Sequence, residues 1–116
     1  MYPSTPKECF DFSAQSFDLA DTLQTPIIIL SDLDLGMNDN MSEPLNWEDD
    51  RAYERGKVLS ADDLDALDGR FGRYLDVDGD AIPYRTYPGT HPTKGAFFTR
   101  GTSRNEYAAY SGNGAP

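Results

Sequence analysis

The stretch Pro26-Ile27-Ile28-Ile29-Leu30-Ser31-Asp32-Leu33-Asp34-Leu35-Gly36 constrains this chain more than any other. Four consecutive aliphatic residues, mostly β-branched and without alternation, follow a proline break. Such a run predicts a strand buried on both faces, as in the parallel sheets of α/β proteins. Ligands in those sheets sit beyond the carboxyl ends of the strands, where Ser31, Asp32 and Asp34 fall. A parallel strand needs neighbours, and no second run of this kind occurs among the 116 residues. The sequence therefore reads as part of an α/β domain.

The segment before the run supports that reading. Thr5-Pro6-Lys7-Glu8 is a helix start, with Thr5 as cap, Pro6 in the first turn and Glu8 completing a capping box. The helix is expected to reach about Gln24. Phe10, Ala14, Phe17 and Ala20 or Asp21 line one face, broadened by Cys9, Phe12, Leu19 and Leu23. Asp11, Gln15, Asp18 and Thr22 form the opposite polar stripe. A helix leading directly into a buried strand is one half of a βαβ unit. Residues 1–36 are thus expected to be the last helix and strand of an incomplete α/β domain.

Residues 37–116 have a different character. Gly36-Met37-Asn38-Asp39-Asn40 is turn chemistry. The region to residue 57 lacks periodicity and holds Trp47 beside the acidic run Glu48-Asp49-Asp50. A short helix is expected near 60–68, capped by Ser60, with Leu64 and Leu67 as its apolar edge and Gly69 as its stop. Ile82-Pro83-Tyr84-Arg85-Thr86-Tyr87 and Ala96-Phe97-Phe98-Thr99-Arg100 suit extended segments. The whole of 37–116 reads as a long, mostly irregular connector.

Composition explains the contrast. Leu, Ile, Val and Phe number 22, and half of them lie in residues 1–36; a packable core is visible only there. The net charge is -10, yet residues 81–116 carry one acid and four bases. The acidic bulk argues against nucleic acid and anionic membrane as partners. The basic C-terminal third suits an anionic ligand or the acidic remainder of the same protein. Cys9 is the only cysteine, so no internal disulfide is possible, in keeping with a reducing compartment. No stretch resembles a signal peptide or membrane span, and a cytoplasmic location is expected.

Several groups carry possible chemistry. Asp32 and Asp34 are spaced like the nucleophile and acid/base pair of haloacid-dehalogenase-like phosphotransferases, with Mg²⁺ between them. That pattern expects Gly directly after the second Asp, where this chain has Leu35. Asp76-Val77-Asp78-Gly79-Asp80 alternates carboxylates as calcium loops do, but Ala81 and Tyr87 stand where such a loop needs Gly and Glu. His91, the only histidine, lies in a turn-rich stretch with no second metal ligand nearby. None of these makes a complete site: hydrogen bonding to local backbone at the strand end accounts for Asp32 and Asp34, a tight turn for residues 76–80, and a structural role for His91.

A wider pattern runs along the chain. It comprises Gln24-Thr25-Pro26 through Asn38, then Arg55-Gly56-Lys57-Val58-Leu59, Phe71-Gly72-Arg73-Tyr74 and Asp76 through Thr86. It continues with Pro88-Gly89-Thr90-His91-Pro92, Lys94 through Thr102 and Asn105-Glu106-Tyr107. In this order the stretches resemble the alpha subunit of thiamine-diphosphate-dependent 2-oxoacid:ferredoxin oxidoreductases, particularly the 2-oxoglutarate type. The resemblance covers about residues 5–111. It implies the end of a pyrimidine-type thiamine-diphosphate-binding domain followed by the connector to the next domain. It also implies oxidative decarboxylation of a 2-oxoacid, such as 2-oxoglutarate, to its acyl-CoA with ferredoxin as electron acceptor. Thiamine diphosphate, Mg and an iron–sulfur cluster are expected in the full complex, which would contain the remainder of the alpha subunit and a beta subunit.

The cofactor motifs of the family are absent here; Tyr2-Pro3-Ser4-Thr5-Pro6 is a superficial echo that leads into a different helix. No catalytic, cofactor-binding or metal residue is therefore carried over, and this chain alone is expected to be inactive. Ala81 stands where relatives often have Gly, and Arg104 where many have His. The alternatives are a small acidic protein-interaction module without catalysis and a truncated Asp-based phosphotransferase.

Overall fold

The computed structural model describes residues 1–96 and 103–113. Among them are three helices: α1 (Pro6–Leu23), α2 (Leu33–Met37) and α3 (Ala61–Ala66). No β-strand forms among the described residues; two isolated bridges, Val58 with Arg85 and Arg104 with Tyr110, are the only strand-like pairings there. The α/β fold is thereby corrected to a mostly irregular, partly helical chain. It forms two compact units, Met1–Gly56 and Lys57–Pro116.

In the first unit, α1 begins as the capping pattern requires. The Thr5 hydroxyl accepts from the Glu8 amide at 3.1 Å. Glu8 reaches one residue further back than a standard box, accepting from the Ser4 amide at 2.7 Å and the Ser4 hydroxyl at 2.6 Å. Gln24 ends the helix in the left-handed region, φ 51°, one residue before the Thr25-Pro26 break. Cys9 is a half-buried free thiol.

The helix is held by acids, one of them on its polar stripe, as well as by its apolar face. Asp18 accepts from the Arg51 guanidinium and from the Glu54 amide, both at 2.6 Å. Asp21 accepts from Arg55 at 2.9 Å. These acids draw residues 51–56 along α1. Gly56 closes the approach: its φ is +67°, and a Cβ there would sit 2.5 Å from the Asp21 carbonyl oxygen. On the apolar face Phe17 stays 62% exposed and meets Tyr53 edge-on at 6.1 Å. Phe10 faces Trp47 at 5.8 Å.

Residues 27–30 are the principal departure from expectation. Their backbone pairs with Met1 alone: the Met1 amino group donates to the Ile28 carbonyl at 2.8 Å, and Leu30 N–H donates to the Met1 carbonyl at 2.9 Å. The side chains of Ile28 and Leu30 are 66% and 58% exposed. A strand is defined by its neighbours, and the described residues offer this run a single residue to pair with. The turn expected at Gly36 is also displaced. Asp32 caps α2 by accepting from the Leu35 amide at 2.7 Å, and the helix runs through Gly36 to Met37. The cap offsets the poor helix propensity of an interior glycine.

The second unit is organised on α3. Ser60 and Asp63 form a reciprocal capping box, with Asp63 N–H donating to the Ser60 hydroxyl at 3.2 Å and Ser60 N–H donating to the Asp63 carboxylate at 2.8 Å. Leu64 is fully buried. The helix ends at Ala66, with Leu67 already extended, so the stop comes before Gly69. Gly95 packs under α3: a Cβ there would lie 2.8 Å from the Thr86 hydroxyl and 3.4 Å from Leu64. Around residue 85 the chain is extended, with Leu59 N–H donating to the Arg85 carbonyl and Arg85 N–H to the Lys57 carbonyl, both at 2.9 Å. Of the other expected extended segment, residues 97–100 lie outside the described residues.

Leu64→Ala should remove most of the apolar anchor of the second unit. A loss of about 2–5 kcal/mol is expected for a fully buried leucine, read as a lower urea midpoint by tyrosine fluorescence.

Candidate functional site

The carboxylates spaced like a calcium loop are held by a lysine. The Lys57 ammonium donates to Asp78 and Asp80, each at 2.7 Å, and to the Ile82 carbonyl at 3.2 Å. It also lies 5.1 Å from the centre of the Tyr84 ring. Hydrogen bonding to Asp78, and then to Asp80, raises the Lys57 pKa; the same contacts lower both aspartates. Asp76 turns inward on its own loop, accepting from the amides of Gly79 at 2.8 Å and Ala81 at 3.0 Å. Asp80 also accepts from the Ile82 amide at 2.9 Å, so the oxygens that would face a cation are used by an ammonium and three amides. Ala81 adopts φ +62°, a conformation that favours glycine.

Asp32 and Asp34 sit on one short helix. Asp32 is its cap, and Asp34 accepts from the Asn38 side chain at 3.3 Å. His91 fastens a loop to α3. Its Nδ1 accepts from the amides of Lys94 at 2.9 Å and Thr93 at 3.2 Å. A nitrogen that accepts carries no proton, so in the neutral ring the proton is on Nε2, which lies 3.2 Å from the Asp65 carboxylate. Lys94 reaches the same carboxylate at 3.2 Å and donates to the Leu64 carbonyl at 3.0 Å. These contacts lower the Asp65 pKa, Lys94 contributing most.

The structure also forms a cavity that single motifs do not reveal. It has a volume of about 370 Å³ and is walled by Arg70, Phe71, Arg73, Lys94, Tyr107 and Ala108, among others. The Arg70 guanidinium lies 4.9 Å from the Tyr107 ring centre. Arg73 and Arg104 lie 5.2 and 5.0 Å from the ring of Tyr74. Burial lowers the pKa of Arg73, with Arg85 and Arg104 adding like-charge repulsion. Of the bases in residues 81–116, only Lys94 lies on the wall among the described residues; Arg70 and Arg73 come from the acidic stretch before them and meet Tyr107 only through folding.

Among the described residues, no group of three or more His, Cys, Asp or Glu side chains is arranged to hold a metal ion, and no helix is long and apolar enough to cross a membrane. A thiamine-diphosphate site requires oxygen ligands for its Mg²⁺. The aspartates best spaced to supply them are engaged by Lys57 and backbone amides, so they do not fit that group. Comparison with protein-family models, curated proteins and solved structures finds no match to this chain.

Two outcomes test the Lys57 cluster. Ala81→Gly should raise the urea midpoint, since glycine relieves a left-handed alanine by about 1 kcal/mol. Lys57→Met should lower it at neutral pH. The lowered Asp78 and Asp80 pKa values contribute stability above the ordinary aspartate range, and it is lost as pH falls through their folded values. The wild-type and Lys57→Met midpoints should therefore converge in acid.

Proposed function

We propose that this chain is a structural part of the alpha subunit of a thiamine-diphosphate-dependent 2-oxoacid:ferredoxin oxidoreductase, of the 2-oxoglutarate type. The observation that carries the reading is the agreement of separate stretches in order, together with how the fold uses their glycines. Gly56, Gly72 and Gly95 lie one each within three such stretches, Arg55–Leu59, Phe71–Tyr74 and Lys94–Thr102. A Cβ at Gly72 would stand 2.7 Å from Leu75 and 3.1 Å from the Glu106 carbonyl, and those at Gly56 and Gly95 meet backbone or a hydroxyl at 2.5 and 2.8 Å. These residues are thus tied to backbone geometry rather than to composition.

Exposed apolar side chains support a docked role. Ile28, Leu30, Leu33, Met37 and Trp47 are all more than half exposed, surface that a larger body would cover. In this reading the remainder of the alpha subunit and a beta subunit carry the cofactors. They convert the 2-oxoacid to its acyl-CoA and pass electrons to ferredoxin, in the cytoplasm. The chain itself supplies no catalytic residue. One observation favours the second reading, an acidic interaction module: residues 27–50 hold seven acids and no lysine or arginine.

A segment exchange tests the proposal. This chain replaces the matching segment in the alpha subunit of a working oxidoreductase of that type, and the chimera is co-expressed with its beta subunit. The expected result is an assembled complex with oxoacid- and coenzyme A-dependent viologen reduction. A chimera that does not assemble, while the parent does, would overturn the proposal and leave the interaction module standing.

A further inference from the structure

We infer that the cavity beside Arg70, Arg73 and Tyr107 binds a small molecule carrying a carboxylate or phosphate on a planar body. This goes beyond the proposed structural role and does not depend on it.

Charge is the first argument. Arg70, Arg73 and Lys94 all line the cavity, and among the described residues no Asp or Glu does, although the chain has a net charge of -10. Folding has gathered cations against the overall composition. Repulsion is the second. Arg73 is partly buried and lies close enough to Arg85 and Arg104 for their charges to disfavour its own. An oxyanion in the adjoining cavity would offset that repulsion.

Shape is the third argument. Arg70 is exposed, with its guanidinium 4.9 Å from the Tyr107 ring centre. An arginine placed against a ring keeps N–H groups at its edge for a bidentate bond to a carboxylate or phosphate. Lys94 already donates to Leu64 and Asp65, so it contributes field rather than the main contact. Phe71 and Tyr107 supply apolar wall for a planar body, and about 370 Å³ is the size of a small-ligand pocket. Ala108, on the wall, is held at φ +60°; a strained non-glycine residue of this kind is characteristic of ligand-binding loops.

The test is a titration of the full ¹⁵N-labelled chain, followed by amide shifts at physiological salt. Phenyl phosphate, benzoate and inorganic phosphate are the probes. Phenyl phosphate or benzoate should give saturable shifts centred on Arg70, Tyr107 and Ala108, and the tighter of the two names the oxyanion. Inorganic phosphate should bind about tenfold more weakly, because it leaves the aromatic wall uncovered. Arg70→Gln, an exposed change, should keep the remaining amide spectrum and weaken phenyl phosphate about tenfold. Three results would overturn the inference: no saturable shift, shifts spread equally over Arg51 and Arg55, or unchanged binding by Arg70→Gln. Equal affinity for inorganic phosphate and phenyl phosphate would overturn the planar body.

Discussion

A shortage of buried apolar surface governs this chain. Apart from Pro3, Leu64 is the only apolar side chain other than glycine that the described residues remove from solvent. Hydrophobic burial is the main favourable term in folding, so other contacts must set the path of the backbone. They are mostly carboxylate contacts. Asp18 and Asp21 bring residues 51–56 to α1, and Asp78 and Asp80 converge on Lys57. Asp32 and Asp63 cap helices, while Asp76 closes its own turn. Exposed ion pairs are individually weak, but a carboxylate that also accepts from a backbone amide, as Asp18 does, fixes position as well as charge.

The use of carboxylates as structural fasteners changes how the acidic motifs are understood. Alternating aspartates at 76, 78 and 80 imitate a cation loop because two of them, Asp78 and Asp80, do hold a cation, the ammonium of Lys57, while Asp76 closes the turn. The Asp32 and Asp34 pair imitates a catalytic dyad because a short helix needs an acceptor at its start and tolerates an acid in its first turn. In both places the spacing is real, and its local use is visible in the hydrogen bonds. The arginines of the second unit behave differently. Arg70 and Arg73 line a cavity and lie against the rings of Tyr107 and Tyr74, and Arg85 and Arg104 lie against the rings of Tyr87 and Tyr74.

Local signals were the most legible part of the sequence. Thr5, Pro6 and Glu8 gave the start of α1, Thr25-Pro26 its end to within two residues, and Ser60 the start of α3. Such signals act over three or four residues, so neighbouring sequence contains the whole interaction. The buried strand at 27–30 failed because burial and pairing depend on distant partners. The short helix at Leu33–Met37 was hidden by Gly36 and by reading Asp32 as a strand-end acid rather than a cap. Asp18 was placed on the polar stripe of α1 and Asp21 beside its apolar face, but their hold on Arg51 and Arg55 was not seen, since the contacts cross more than thirty residues.

By itself the sequence determined the starts of α1 and α3 and the uneven distribution of apolar and charged residues. Each is fixed by backbone sterics, hydrogen bonding over one turn or simple composition. Tertiary structure alone decided that residues 27–30 make no strand, that Lys57 fills the aspartate loop, and that His91 serves Asp65 and two amides. It also decided that Arg70, Arg73 and Tyr107 share one cavity. Those outcomes depend on which distant groups come within bonding distance, and spacing along a chain does not encode that distance.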